Sequence, residues 1–190
     1  TDAKGETAKF GIGPNTKVFT DDGREVKPGS GEVGYLAVGG HIPVGYYKDP
    51  KKTAETFRVV DGKRYSIPGD YATVEADGTI KLLGRGSVSI NTGGEKVFPE
   101  HVEEAIKTHP SVRDAVVVGV PHERFGEMVV AVVESRGDAE VSEDDLIAHV
   151  RDRLAAYKAP RRVIPVDSIG RAANGKVDYK KARDEALQGL

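Results

Sequence analysis

Apolar and polar positions fall into two kinds of pattern along this chain. Up to residue 83 short alternating runs are cut by Asp-Gly pairs. Lys17-Val18-Phe19-Thr20 and Glu25-Val26 flank Asp22-Gly23, Phe57 to Val60 and Lys63 to Tyr65 flank Asp61-Gly62, and Tyr71 to Val74 and Thr79 to Leu82 flank Asp77-Gly78. Such a pair between alternating segments favours a tight hairpin, because the turn needs φ > 0 where Asp and Gly tolerate it. With Glu32 to Val38 added as a strand, this part is expected to form an antiparallel sheet or a small distorted barrel. Asp49-Pro50 ahead of the polar run Lys51 to Glu55 predicts a short helix ending near Phe57.

From residue 99 the period changes. Val102, Ala105, Ile106 and His109 recur at helical spacing behind Pro99, which predicts an amphipathic helix over 99–108 that His109-Pro110 ends. His109 lies on the apolar stripe, the place of a structural histidine. Val112 to Val120 and Met128 to Glu134 are apolar, β-branched runs expected to be neighbouring core strands, with Pro121 to Glu127 between them. Ser142 and Asp145 cap a second helix with Leu146, Val150 and Leu154 on one side. Tyr157-Lys158-Ala159-Pro160 stops it, Arg162 to Val166 is a third strand, and Tyr179 to Leu187 a last helix. The overall expectation is an α+β fold: a β-rich subdomain over 1–83, then a small α+β domain over 88–190 with a three-stranded sheet and helices, about 100 residues and able to hold its own core.

Between these patterns runs Gly84 to Glu104, GRGSVSINTGGEKVFPEHVEE. Gly84-Arg85-Gly86-Ser87 offers little to a core, since glycine frees the backbone and arginine keeps its charge in water or on an anion. Residues 84–87 therefore read as a hinge, with Gly86 and Ser87 its permissive positions. Asn91-Thr92-Gly93-Gly94 then predicts a turn whose backbone N–H groups face a ligand, with Lys96 as a cation beside it.

Composition narrows the function classes. The 28 Lys and Arg residues against 30 Asp and Glu give a net charge of -2, without the basic excess that a nucleic-acid binder usually carries. There is no cysteine, hence no disulfide framework and no thiolate metal site, which fits a reducing cytoplasm. The longest apolar runs fall far short of the roughly 20 residues of a membrane span. Residues 1–10 show neither a signal peptide nor a recognisable first element, so the chain is expected to be part of a longer protein.

Two segments carry candidate chemistry. In Ser66-Ile67-Pro68-Gly69-Asp70 a carboxylate follows a glycine in a tight connection, where it could accept both hydroxyls of a ribose diol or simply bond its own turn. Gly170 to Val177 follows the phosphate-loop spacing GxxxxGK but puts Val177 where Ser or Thr would hold magnesium, and it lacks the strand-to-helix context. Its useful residue is Lys176, a cation on a Gly-rich polar arm, or else one more solvated lysine.

In order along the chain, Gly45-Tyr46-Tyr47 with Pro50, Gly69-Asp70, Gly84-Arg85, Gly93-Gly94-Glu95-Lys96-Val97 with Pro99, Val120-Pro121, Gly126-Glu127, Tyr157-Lys158-Ala159-Pro160 and Gly175-Lys176 resemble the C-terminal part of the adenylate-forming superfamily, which includes acyl-CoA synthetases, peptide-synthetase adenylation domains and firefly luciferase. The resemblance implies that Asp70 binds the ATP ribose, that Arg85 assists at the ribose or phosphates, and that Lys176 is the catalytic cation of adenylation. It implies that the Gly93-Gly94 loop, with Lys96 beside it, lines the path of the CoA pantetheine once the small domain has swung on its hinge. Ser87 departs from the pattern, in which Asp or Lys is common at the pivot. The family's phosphate loop and Thr-Glu magnesium motif are expected upstream of Thr1, so no residue of this chain is assigned to Mg2+. The implied activity is ATP-dependent ligation of a fatty or sterol-derived carboxylic acid to CoA in the cytoplasm, by a chain expected to be inactive alone. Acetylation of Lys176 by a lysine acetyltransferase would control it. A carrier-protein-loading adenylation domain and a non-catalytic binding module on the same scaffold are the other readings.

Overall fold

The computed structural model describes residues 9–11, 13–137 and 139–190, and its internal contacts gather into two units that divide between Ser87 and Val88. The first unit holds strands β1 (Lys9–Phe10), β2 (Thr16–Phe19) and β3 (Gly34–Val38), helix α1 (Pro50–Thr56), and strands β4 (Phe57–Val60), β5 (Lys63–Ser66), β6 (Asp70–Val74) and β7 (Ile80–Arg85). Every pairing is antiparallel, in the order β1-β7-β6-β3-β5-β4 with β2 on β3. Among the described residues its end strands β1 and β4 do not pair with each other, so this is an open sheet and not a closed barrel. Asp61-Gly62 and Asp77-Gly78 join paired strands as expected, whereas past Asp22-Gly23 the expected strand Glu25-Val26 is reduced to an isolated bridge between Phe19 and Glu25. Val60 pairs with Lys63 across Asp61 (φ 48°) and Gly62 (φ 73°), the two left-handed residues of a two-residue hairpin. Asp49 caps α1 by accepting a hydrogen bond from the Lys52 N–H. Alternation sends Val18, Ala72, Val74 and Ile80 to one buried cluster and Phe19, Ala37, Tyr65 and Ile67 to another.

The second unit opens with a three-residue hairpin arm, β8 (Ile90–Thr92) and β9 (Glu95–Val97), which the polar sequence did not mark as strand. Then follow α2 (Pro99–Lys107), β10 (Val112–His122), β11 (Gly126–Ser135), α3 (Glu143–Arg151), β12 (Arg162–Val166) and α4 (Tyr179–Gln188). The sheet therefore has five strands where three were expected. Its spine is the antiparallel pair β10–β11; β12 lies parallel to β11 after the α3 crossover, and β8 meets the start of β11 at Thr92 and Gly126. The β10–β11 connection is shorter than expected, because Pro121 pairs with Glu127 inside the ladder. β10 pairs only with β11 among the described strands, so it can carry a proline on its outer edge.

Both faces of this spine are buried. Ala115, Val117, Val129, Ala131 and Val133 pack with Val102 and Ile106 of α2 and Leu146 and Val150 of α3. Val116, Val118, Val130 and Val132 pack with Ala182 and Ala186 of α4. Helices on both faces explain why β10 and β11 read as continuous apolar runs and not as alternating ones. Ser142 caps α3 through the Asp145 N–H, as its sequence position predicts. His109 is a structural histidine whose ring packs edge-on against His149, with centroids 5.0 Å apart.

Candidate functional site

Three places carry the residues singled out above, one in the first unit and two in the second. Gly69, at φ 96°, turns the chain so that Asp70 is the first residue of β6, a strand residue and not part of the preceding loop as expected. In the β6–β7 ladder Tyr71 pairs with Gly84 and Ala72 with Leu82, so Leu83 is an extra residue. That bulge puts Arg85, rather than Gly84, opposite Asp70. The Arg85 Nε donates to Asp70 Oδ1 at 3.1 Å, with the Asp70 side chain 29% exposed. The backbone closes behind the pair, where the Gly86 N–H donates to the Gly69 carbonyl at 3.1 Å. Space is open around Gly69, while a Cβ at Gly86 would run into the Tyr71 ring. A part-exposed carboxylate beside a guanidinium, with room before it, can accept a diol's two hydroxyls and attract a phosphate oxygen.

In the second unit Thr92 pairs with Glu95 across Gly93 (φ 60°) and Gly94 (φ 86°), a two-residue turn that needs left-handed torsions at both centres. The sequence placed a turn here with its N–H groups facing a ligand. For Gly93 that is overturned: its N–H donates to the Phe125 carbonyl at 2.9 Å. The Asn91 N–H donates to Glu127 Oε2 at 2.9 Å, so β8 and the tip of the arm are tied to the β10–β11 turn. Of that turn the sequence motifs named above include only Gly126-Glu127, and no role was assigned to it or to Phe125. There the Arg161 guanidinium lies 4.0 Å from the centre of the Phe125 ring, Arg124 lies 5.3 Å from it, and His122 packs beside it. Tyr157 is close enough to Glu95 for burial and that carboxylate to push its phenol upward. The run R-F-G-E at 124–127 was the available signal, an aromatic between a cation and a turn glycine. A ring carrying two guanidinium groups beside a glycine turn suits an anionic ligand with a thin, flexible arm.

Lys176 lies on the segment between β12 and α4, exposed as expected. The segment is a compact turn and not a phosphate loop: Ala172 N–H donates to the Lys176 carbonyl at 3.0 Å and Gly175 N–H to the Ala172 carbonyl at 2.7 Å. The Lys176 N–H donates to Asn174 Oδ1 at 3.1 Å. Arg171 holds this turn from inside. Its Nε and Nη2 donate to the two carboxylate oxygens of Asp114 at 2.5 and 2.9 Å, and its Nη1 donates to the Gly175 carbonyl at 3.2 Å. Burial works to raise the Asp114 carboxyl, but the bonds from Arg171 and the Ala115 N–H outweigh it and hold it below the usual range. The start of the segment is pinned by Glu134, whose Oε2 accepts the Ile169 N–H at 2.9 Å while Oε1 pairs with Arg113 at 3.0 Å. The sequence hid Asp114 and Glu134 as polar ends of apolar runs. A charged residue at such a boundary was the only signal.

Comparisons with known proteins bear on these three places. Residues 101–176 match the family model described as the AMP-binding enzyme C-terminal domain, an interval that ends on Lys176. The chain is 58% identical over 186 residues to a medium/long-chain-fatty-acid–CoA/3-oxocholest-4-en-26-oate–CoA ligase of Mycolicibacterium smegmatis, covering 96% of this chain and 34% of the relative. It is 58% identical to a 3-oxocholest-4-en-26-oate–CoA ligase of Rhodococcus rhodochrous, over 95% of this chain and 32% of the relative. Among solved structures it resembles the amide bond synthetase McbA from Marinactinospora thermotolerans, with a TM-score of 0.79, 34% identity, and coverage of 90% of this chain and 34% of that one. The chain thus spans about a third of the length of these relatives.

Proposed function

Because the chain belongs to the adenylate-forming enzymes, over the stretch that carries their C-terminal domain, we propose that it is the C-terminal part of an ATP-dependent acid–CoA ligase. The reaction joins a carboxylate to the α-phosphorus of ATP with loss of pyrophosphate, and then passes the acyl group to the CoA sulfur with loss of AMP. The acid is a fatty or sterol-derived one, as the names of the relatives suggest.

One observation carries the reading. The last residue of the matched interval is a lysine whose backbone is bonded on both sides while its side chain reaches into solvent. Adenylation brings a carboxylate against a phosphate, so a cation must be presented there and must be gone when the thiol arrives. Lys176 is proposed as that cation. Asp70 with Arg85 would hold the ribose and a neighbouring phosphate. The Gly93-Gly94 turn, with Lys96 and the Phe125–Arg161 pair beside it, fits the narrow arm and anionic end of CoA. Gly84 to Ser87 would serve as the joint between the two steps; Gly84 (φ 125°) and a 3-10 turn over Gly86–Val88 lie there. Among the described residues no group of three or more acidic, His or Cys side chains could hold a metal ion; no residue of this chain is proposed as a Mg2+ ligand. No described helix is long and apolar enough to cross a membrane, and a cytoplasmic location is part of the proposal. So is a lysine acetyltransferase as partner, because acetylating Lys176 would remove the charge that the first step uses.

Lys176→Ala in the full-length enzyme tests this. Acid-dependent pyrophosphate exchange is expected to fall by about 100-fold or more, while thioester formation from supplied acyl-adenylate stays near wild type. Exchange at the wild-type rate would favour a non-catalytic module. Loading of a carrier protein in place of CoA would favour the carrier-loading reading.

A further inference from the structure

The spine of the second unit holds an arrangement that costs stability unless it serves something. Asp114 of β10 and Glu134 of β11 are direct cross-strand partners. Both share the parity of Val116 and Val132, and therefore face the α4 side of the sheet. Two carboxylates set opposite each other repel. Each is instead occupied by the same stretch of chain, Glu134 by the N–H of Ile169 and Asp114 by the guanidinium of Arg171. Ile169 and Val177, at the two ends of that stretch, pack into the apolar cluster beneath α4.

We infer that Asp114 and Arg171 are positioning residues for adenylation: the bidentate pair, together with the Arg171 bond to the Gly175 carbonyl, fixes the peptide that carries Lys176 so that its ammonium group arrives at one place. This rests on the reading of Lys176 given above. The Gly175 carbonyl belongs to the peptide unit whose nitrogen is that of Lys176, so Arg171 grips the backbone directly before the lysine. With Asn174 on the Lys176 N–H and Ala172 on its carbonyl, only the four-carbon stem is left to move. Lysine brings a point charge on a flexible stem and no fork of its own. Its aim has to come from the backbone beneath it, and Arg171 has the planar fork that can hold a carboxylate and a carbonyl at once. Glu134 sets where the stretch leaves β12, and Asp114 with Arg171 sets where it turns.

The test uses the full-length enzyme with Arg171→Ala, Arg171→Lys and Asp114→Asn beside Lys176→Ala. Arg171→Ala and Asp114→Asn are expected to slow adenylation by about 10- to 100-fold, the scale of a misplaced catalytic group. The KM values for acid and ATP should change little, and thioester formation from supplied acyl-adenylate should stay within about two-fold. Arg171→Lys is expected to resemble Arg171→Ala, because it keeps the charge and loses the fork. Amide exchange should quicken over residues 171–177 alone, a readout independent of activity. Wild-type adenylation from Arg171→Ala with Lys176→Ala inactive would overturn the positioning role and leave the function standing. Wild-type adenylation from Lys176→Ala as well would remove the reading of the lysine itself. Equal loss of both half-reactions in Asp114→Asn, the milder change, would show that the pair merely holds the fold together.

Discussion

Glu103 is a residue whose chemistry departs far from that of an exposed glutamate. It lies on α2 with 3% of its surface exposed, and its Oε1 accepts the Val117 N–H at 2.9 Å and the Tyr179 hydroxyl at 3.3 Å. Loss of water around the carboxyl, with Glu100 adding to it, pushes its pKa up to about 7 against the bond from Val117 and the charges of Lys107 and Arg171. The folded chain therefore binds a proton here that the unfolded chain has already released, between the ordinary glutamate value and about 7. Stability falls as pH rises through that window, by on the order of 3 kcal/mol, and is level above it. Glu103→Gln keeps both acceptor contacts and has no charge to bury. In urea titrations from pH 5 to 8 the variant is expected to gain on the wild type up to about pH 7 and then run parallel to it; parallel curves throughout would refute the buried carboxylate. Single residues were legible in the sequence to the extent that they act alone. Lys176 stood out because a lysine among Gly, Asn and Ala has nowhere to be buried. Asp114 and Arg171 did not, since their bond joins residues 57 positions apart and neither pattern nor spacing reports on that.

At the scale of elements, the turns are where backbone torsion and free space can be separated. Nothing lies within 4 Å of a Cβ built on Gly94, yet its φ of 86° is one that L side chains rarely adopt. Gly94→Val is expected to cost about 1–3 kcal/mol through the backbone alone, seen as a lower denaturation midpoint with the rest of the unit unchanged. Gly86→Ala fails for the opposite reason, because its new methyl meets the Tyr71 ring, which is held by its hydroxyl bond to Tyr35 at 2.7 Å. A similar loss of about 1–3 kcal/mol, largely relieved when Tyr71→Leu is added, would identify overpacking as the cause; no relief would point elsewhere. The Asp-Gly hairpins, the α3 cap and β12 could be read from sequence because each is specified within a few residues. The β8–β9 arm could not. Three-residue strands are too short to show a period, and this arm takes its position from Phe125 and Glu127, distant in sequence.

The molecule as a whole divides between Ser87 and Val88, and the second unit has an apolar interior on both faces of its sheet. Residues 88–190 produced alone are expected to unfold in one cooperative transition, as a domain of about 100 residues with its own core should. Leu146→Ala in that piece should lower its stability by about 2–5 kcal/mol, since the side chain is completely buried. A gradual, non-cooperative melt would mean that the core needs the rest of the protein. The antiparallel pair at the centre of this unit also acts as a ruler. Its turn end grips the glycine arm through Phe125 and Glu127; its open end grips the segment that carries Lys176, with Asp114 on Arg171 and Glu134 on Ile169. Eight residues of strand separate Asp114 from His122, about 27 Å at the usual rise, and the ladder between them is bonded along its length. On the proposed function, a rigid rod with an implement at either tip would offer a single reaction centre only one of them at a time, so the two chemical events would be kept apart by length, with no signal passed between the tips.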